Sequence, residues 1–129
     1  MEKRVQDYSK EILKIIRSNT SPAVMAGRLQ DYHENDLADV LPMLTVHERC
    51  KLYRILDTDV LSDIFEYTEE ENAAEYLNEM DVKKAAAILS RMETDALADV
   101  LNKVEKTKKK ILIDLLEPEV RRDVEMIAS

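Results

Sequence analysis

Eight residues spaced 12 apart, Val40, Leu52, Ile64, Tyr76, Ile88, Val100, Leu112 and Val124, are all apolar. One residue later come Leu41, Tyr53, Phe65, Leu77, Leu89, Leu101 and Ile113, and only Glu125 breaks that row. Two residues before the first row stand Ala38, Cys50, Ser62, Ala74, Ala86 and Ala98, all small, until Lys110 and Arg122 end the pattern. A fourth row runs Leu44, Leu56, Met80, Met92, Val104 and Leu116, with Thr68 the exception. The pentapeptide Leu37-Ala38-Asp39-Val40-Leu41 returns as Leu97-Ala98-Asp99-Val100-Leu101. Leu29 and Tyr32 extend the register one unit toward the N-terminus. A repeat this regular restricts the fold before any other property is considered.

Within each unit the apolar residues fall at i, i+1 and i+4. That pattern marks one face of a helix and not the alternation of a strand. Twelve residues hold one helix of about two to three turns and a tight link. Start signals fall where the period places them. Thr45 with Glu48 and Thr68 with Glu71 have capping-box spacing. Ser21-Pro22 and Glu117-Pro118 put proline at a first helical position, and Asp57, Asp81 and Thr94 are further candidate caps. The expected helices are 1–18, 22–32, 35–44, 46–56, 58–67, 69–80, 82–92, 95–105, 107–116 and 118–128. The predicted fold class is all-α: a right-handed superhelix, or solenoid, of about ten short helices in 12-residue units. Consecutive helices are expected to pair antiparallel and stack as 24-residue hairpins, with the small position admitting a close neighbour. Residues 1–20, with Val5, Tyr8, Ile12, Ile15 and Ile16 on one face, read as an N-terminal capping helix. Residues 21–129 read as the superhelix, and the whole as one domain. Gly27, inside a helix, is expected to mark close helix packing.

Composition agrees. One Gly, three Pro, no Trp and 5% aromatics suit helices and argue against a sandwich or barrel. The lone Cys50 excludes an internal disulfide and fits a reducing compartment. No apolar run approaches the roughly 20 residues of a membrane span. Met1 is followed by charged residues with no apolar segment behind them, so no secretory signal is visible. The net charge is −8. Residues 62–99 carry 11 acids against Lys83, Lys84 and Arg91, a surplus equal to the whole net charge. Such a stretch is a solvated surface whose acids help helix N-termini, or a field that attracts cations or a basic partner. The acidic balance argues against nucleic acid as partner.

No Gly-rich phosphate loop, GxSxG, HExxH or CxxC is present, so the chain is read as not an enzyme. His47 and Cys50, at i and i+3, offer too few ligands for a transition metal, and Cys50 holds the small packing position. Lys103, Lys106, Lys108, Lys109 and Lys110 form a basic run, either a solvated face or a surface that steers an acidic face of another domain. The carboxylates carry the remaining chemistry. Asp95 and Asp99 stand at i and i+4 and project from one side of a helix, where two anions repel. Asp63, Glu75, Asp99 and Asp123 share one register position. Mg2+ keeps several waters and often takes only one or two carboxylates, so such acids can be half-sites that another surface completes.

The 12-residue units, Glu75-Tyr76-Leu77, Asp95-Ala96-Leu97-Ala98-Asp99 and the end Leu115-Leu116-Glu117-Pro118-Glu119, followed by Arg121, Arg122, Asp123 and Glu125, carry a resemblance. Over residues 22–128 the chain resembles the intracellular N-terminal domain of MgtE-type magnesium transporters. The resemblance implies a cytoplasmic regulatory domain at the cell membrane, itself not inserted, that precedes a CBS domain pair and a transmembrane pore domain in a homodimer. It implies that acids here face acids on the CBS pair, with Mg2+ bridging them to close the pore. It places the metal-contacting acids on Asp63, Asp95 and Asp99, Asp63 standing where a Glu is frequent. Mg2+ binding to such half-sites alone is expected to be weak. The alternative is a non-catalytic interaction scaffold laid out like helical domains of the flagellar switch protein FliG.

Overall fold

The computed structural model describes residues 7–128. Ten α-helices follow one another: α1 Ser9–Ile16, α2 Pro22–Leu29, α3 Glu34–Val40, α4 Val46–Ile55, α5 Thr58–Glu66, α6 Glu70–Glu79, α7 Val82–Ser90, α8 Thr94–Leu101, α9 Lys106–Leu115 and α10 Pro118–Ala128. A 3-10 turn, Leu41–Met43, extends α3. No strand occurs among the described residues. The all-α repeat read from the period is therefore the fold. The first helix is shorter than expected: Asp7 and Tyr8 precede it, and residues 1–6, Val5 included, lie outside the described residues.

The register explains the core. All eight residues of the first apolar row are buried, from Val40 to Val124. Leu41, Tyr53, Phe65, Leu77, Leu89 and Leu101 of the second row are buried too, and Ile113 is half-buried. Sequestering a side chain of that size contributes about 1.5–3 kcal/mol. No helix of seven to eleven residues would hold its shape alone, so the stacked face supplies the stability.

Backbones come closest between helices two apart. Helices α1, α3, α5, α7 and α9 succeed one another in one row, while α2 with α4, and α6 with α8 and α10, form the other. This is the expected 24-residue stacking. Close contact runs within rows because the small residues lie there, and the large apolar side chains hold the two rows apart. Ser62 shows it: its hydroxyl donates to Thr58 O at 2.8 Å and lies 3.4 Å from Ile88 O on α7. Cys50 does the same in the second row, with Sγ 3.5 Å from Glu79 O on α6. The small position thus faces the next helix of its own row.

Helix starts follow their caps with three exceptions. The Thr45–Glu48 capping box is complete, Ser21 caps α2 ahead of Pro22, and Asp81 accepts from the backbone of Lys83 and Lys84. The Thr68–Glu71 box does not form: Thr68 Oγ1 donates back to Ile64 O at 2.9 Å, and Glu69 takes the cap position. Thr94 is the first residue of α8, one past the cap at Glu93. Asp57 occupies its cap position without a side-chain bond. Gly27 does not mark close packing either, since a Cβ there would meet nothing within 4 Å.

Candidate functional site

Asp63 lies on α5, and Asp95 and Asp99 lie on α8; all three are exposed. They therefore belong to different rows of the solenoid. Asp95 sits in the first turn of α8, where the helix N-terminus favours a negative charge. Asp99 is one turn further on the same side. None of the three has a hydrogen bond or ion pair among the described residues. They are not brought together: no group of three or more His, Cys, Asp or Glu able to hold a metal occurs among the described residues. Each carboxylate presents free oxygens to solvent, the donor type that Mg2+ takes, and a site there needs ligands from outside this fold.

Other acids of the 62–99 stretch are engaged in structure. Asp81 caps α7, Glu71 pairs with Lys103 at 3.6 Å, and Glu79 is internal. Arg91 pairs with Asp59 at 2.6 Å, which takes one of the few cations of the stretch outside it. The charge surplus left on the surface is therefore carried by acids such as Asp63, Glu66, Glu75, Asp95 and Asp99.

The feature that sequence reasoning missed is at the seam of α4 and α6. Arg49 is 7% exposed. Its guanidinium donates to Glu79 from Nε at 2.9 Å and from Nη2 at 2.7 Å, and from Nη1 to Leu44 O at 2.8 Å and Leu41 O at 3.1 Å. Tyr53 donates its hydroxyl to Glu79 at 2.8 Å, and the guanidinium carbon lies 5.1 Å from the centre of the Tyr76 ring. Burial pushes the Glu79 carboxyl up, but hydrogen bonds from Arg49 and Tyr53 outweigh it, and the group stays below its ordinary range. Burial and the Glu79 bond push the Tyr53 hydroxyl up. No buried side-chain N or O among the described residues lacks a hydrogen-bond partner. A signal existed: Arg49 occupies the register position that Leu37, Leu61, Ala73, Ala85 and Leu97 hold elsewhere.

The pair His47 and Cys50 gathers no further ligand among the described residues. His33, also without a ligand pattern, caps α3 by accepting from Asn35 N at 3.0 Å and stands edge-on to Tyr67.

The described residues thus form a two-row helical solenoid with a satisfied interior and several exposed acids, Asp63, Asp95 and Asp99 among them, that have no partner. The chain belongs to the family of MgtE intracellular N domains, whose pattern matches residues 32–129. That family consists of non-catalytic transporter domains. Among solved structures, the chain is similar to one described as the soluble part of a magnesium transporter, at 28% identity and a TM-score of 0.80. The similarity covers 92% of this chain and 46% of that one, so the chain spans about half the length of the structure it matches. No curated protein matches the chain. No helix among the described residues is long and apolar enough to cross a membrane.

Proposed function

We propose that this chain is the cytoplasmic regulatory domain of a magnesium transporter and that it senses Mg2+ through Asp63, Asp95 and Asp99. In this reading the exposed carboxylates are half-sites. A CBS domain pair of the same transporter supplies facing acids. At low Mg2+ the two acidic surfaces repel and separate; at high Mg2+ bound ions neutralise both, the surfaces dock, and the transmembrane domain is held closed. The transporter acts as a homodimer. Residues 1–20 serve as an end cap on the superhelix of residues 21–129. The observation that carries the reading is that Asp63, Asp95 and Asp99 are exposed and unpaired in the stretch that holds the whole net charge. Asp95 and Asp99 oppose each other on one helix side, so a bound cation relieves repulsion that the fold leaves standing.

The test is an amide-resonance titration of the 129-residue chain with Mg2+ at constant ionic strength. Shifts centred on Asp63, Asp95 and Asp99, saturating in the millimolar range or above, are expected, because half-sites lack preorganised partners. A spectrum that does not move at high Mg2+ would leave the interaction-scaffold reading in its place.

A further inference from the structure

The register that builds the solenoid changes in α9 and α10: the small position becomes a cation in both, and in α9 the outer position becomes apolar. The position facing the next helix of the row is small from α3 to α8: Ala38, Cys50, Ser62, Ala74, Ala86 and Ala98. In α9 it is Lys110 and in α10 it is Arg122, both exposed. The neighbouring outer position is acidic in five other units, at Asp39, Asp63, Glu75, Asp99 and Asp123, and is Lys51 and Ala87 in two; in α9 it is Ile111, 43% exposed. One turn on, Leu115 is 42% exposed. Ile113 is half-buried where its counterparts from Leu41 to Leu101 are buried. A shallow groove runs over this end of the fold, lined by Lys106, Lys110, Ile111 and Ile113 together with Asp114 and Glu125. Lys106, Lys108, Lys110 and Arg122 have no ion-pair partner among the described residues.

We propose that the outer face of α9, with Arg122 of α10, is a docking surface for an anionic membrane leaflet. The inference rests on the reading of the chain as a domain of a membrane transporter, which keeps it within reach of a bilayer. Two features favour a lipid surface over a protein helix. Long cations stand where a seated helix needs small residues, so a helix cannot approach at the spacing used inside the solenoid. A headgroup layer needs no such fit. Lysines beside exposed Ile111 and Leu115 combine phosphate contact with shallow apolar seating, the arrangement of surface-associated helices. The cationic balance belongs to α9, where Lys106, Lys108, Lys109 and Lys110 stand against Asp114 alone; α10 adds Arg122 but also Glu119, Asp123 and Glu125, and screening limits the reach of the acids of residues 62–99 to about 8 Å at physiological salt.

Co-sedimentation of the 129-residue chain with vesicles tests the idea without Mg2+. Vesicles of phosphatidylcholine containing phosphatidylglycerol are expected to hold at least about tenfold more protein than phosphatidylcholine alone, and high salt should abolish the excess. Lys110→Glu with Arg122→Glu is expected to remove most of it, as is Ile111→Asp, with the circular-dichroism spectrum and melting temperature unchanged. Lys106→Gln with Lys110→Gln, a milder change, should give an intermediate loss. Equal partition onto both vesicle types would overturn the proposal, as would charge-reversed protein that still sediments with the anionic vesicles. Binding to a poly-glutamate peptide but not to vesicles would overturn it in favour of an acidic protein partner. The Mg2+ titration is unaffected by any of these results, so the two readings fail separately.

Discussion

At the seam of α4 and α6, Glu79 has a side chain only 10% exposed and accepts from Arg49 twice and from Tyr53 once. On the outer faces of α5 and α8, Asp63, Asp95 and Asp99 are exposed and accept nothing among the described residues. The same functional group is fully answered in one place and left open in the other. The contrast separates carboxylates that hold the solenoid from carboxylates whose charge is available to an outside partner.

The sharpest way to break that separation is Arg49→Ala. It leaves Glu79 buried without its cation and the carbonyls of Leu41 and Leu44 without their donor. A loss of about 3–5 kcal/mol in urea unfolding is expected. Replacing both partners, Arg49→Met with Glu79→Leu, should recover part of it: the double variant leaves no unpaired buried charge, but the Leu41 and Leu44 carbonyls and the Tyr53 hydroxyl still lose their partners. A single variant that unfolds at the wild-type midpoint would show that Glu79 belongs with the surface acids.

The row positions show what was readable and what was not. Val40 to Val124 could be assigned to the core from spacing alone, because a helix with a 12-residue repeat has one way to bury that stripe. The small positions announced close packing, and Ser62 against Ile88 bears it out. The Arg49–Glu79 pair could not be paired by inspection: the two residues are 30 apart, and which acid reaches an interrupted core row depends on which helices share a row. Thr68 failed as a cap because its hydroxyl found Ile64 O, a choice between two local acceptors that spacing does not decide. The aspartates are a different case. Their exposure follows from the register, but a ligand supplied by another surface leaves no mark within this chain.

Glu48 lies between the two extremes and gives a smaller effect. Its side chain is 22% exposed and accepts from Arg17 Nε at 2.8 Å and from Thr45 N at 2.9 Å, tying α1 to the start of α4. The Arg17 bond first, then the Thr45 backbone, holds its carboxyl at about 2 instead of 4.5. A depressed carboxyl stabilises the fold above its ordinary pKa, and that contribution fades as pH falls from about 4.5 toward 2. Because the pair faces water, the expected size is about 1 kcal/mol. Glu48→Gln should flatten the stability-against-pH curve in that window and leave it unchanged near neutrality except for a constant offset. A curve of unaltered slope would detach Glu48 from the acid transition.

The smallest effect on stability is expected at the three acids proposed to sense Mg2+. Asp63→Asn, Asp95→Asn and Asp99→Asn each remove an exposed charge without a partner, so each should shift unfolding by no more than about 0.5 kcal/mol. The signs differ. Asp95 stands in the first turn of α8 and loses a favourable dipole contact, whereas Asp99 loses only its repulsion from Asp95. Asp99→Asn should therefore be neutral or slightly stabilising, and Asp95→Asn slightly destabilising. That near-neutrality makes the triple variant a clean instrument: any Mg2+ response it loses cannot be charged to unfolding. If the triple variant instead melts well below the wild type, these acids have partners in solution, and the division between answered and open carboxylates does not hold.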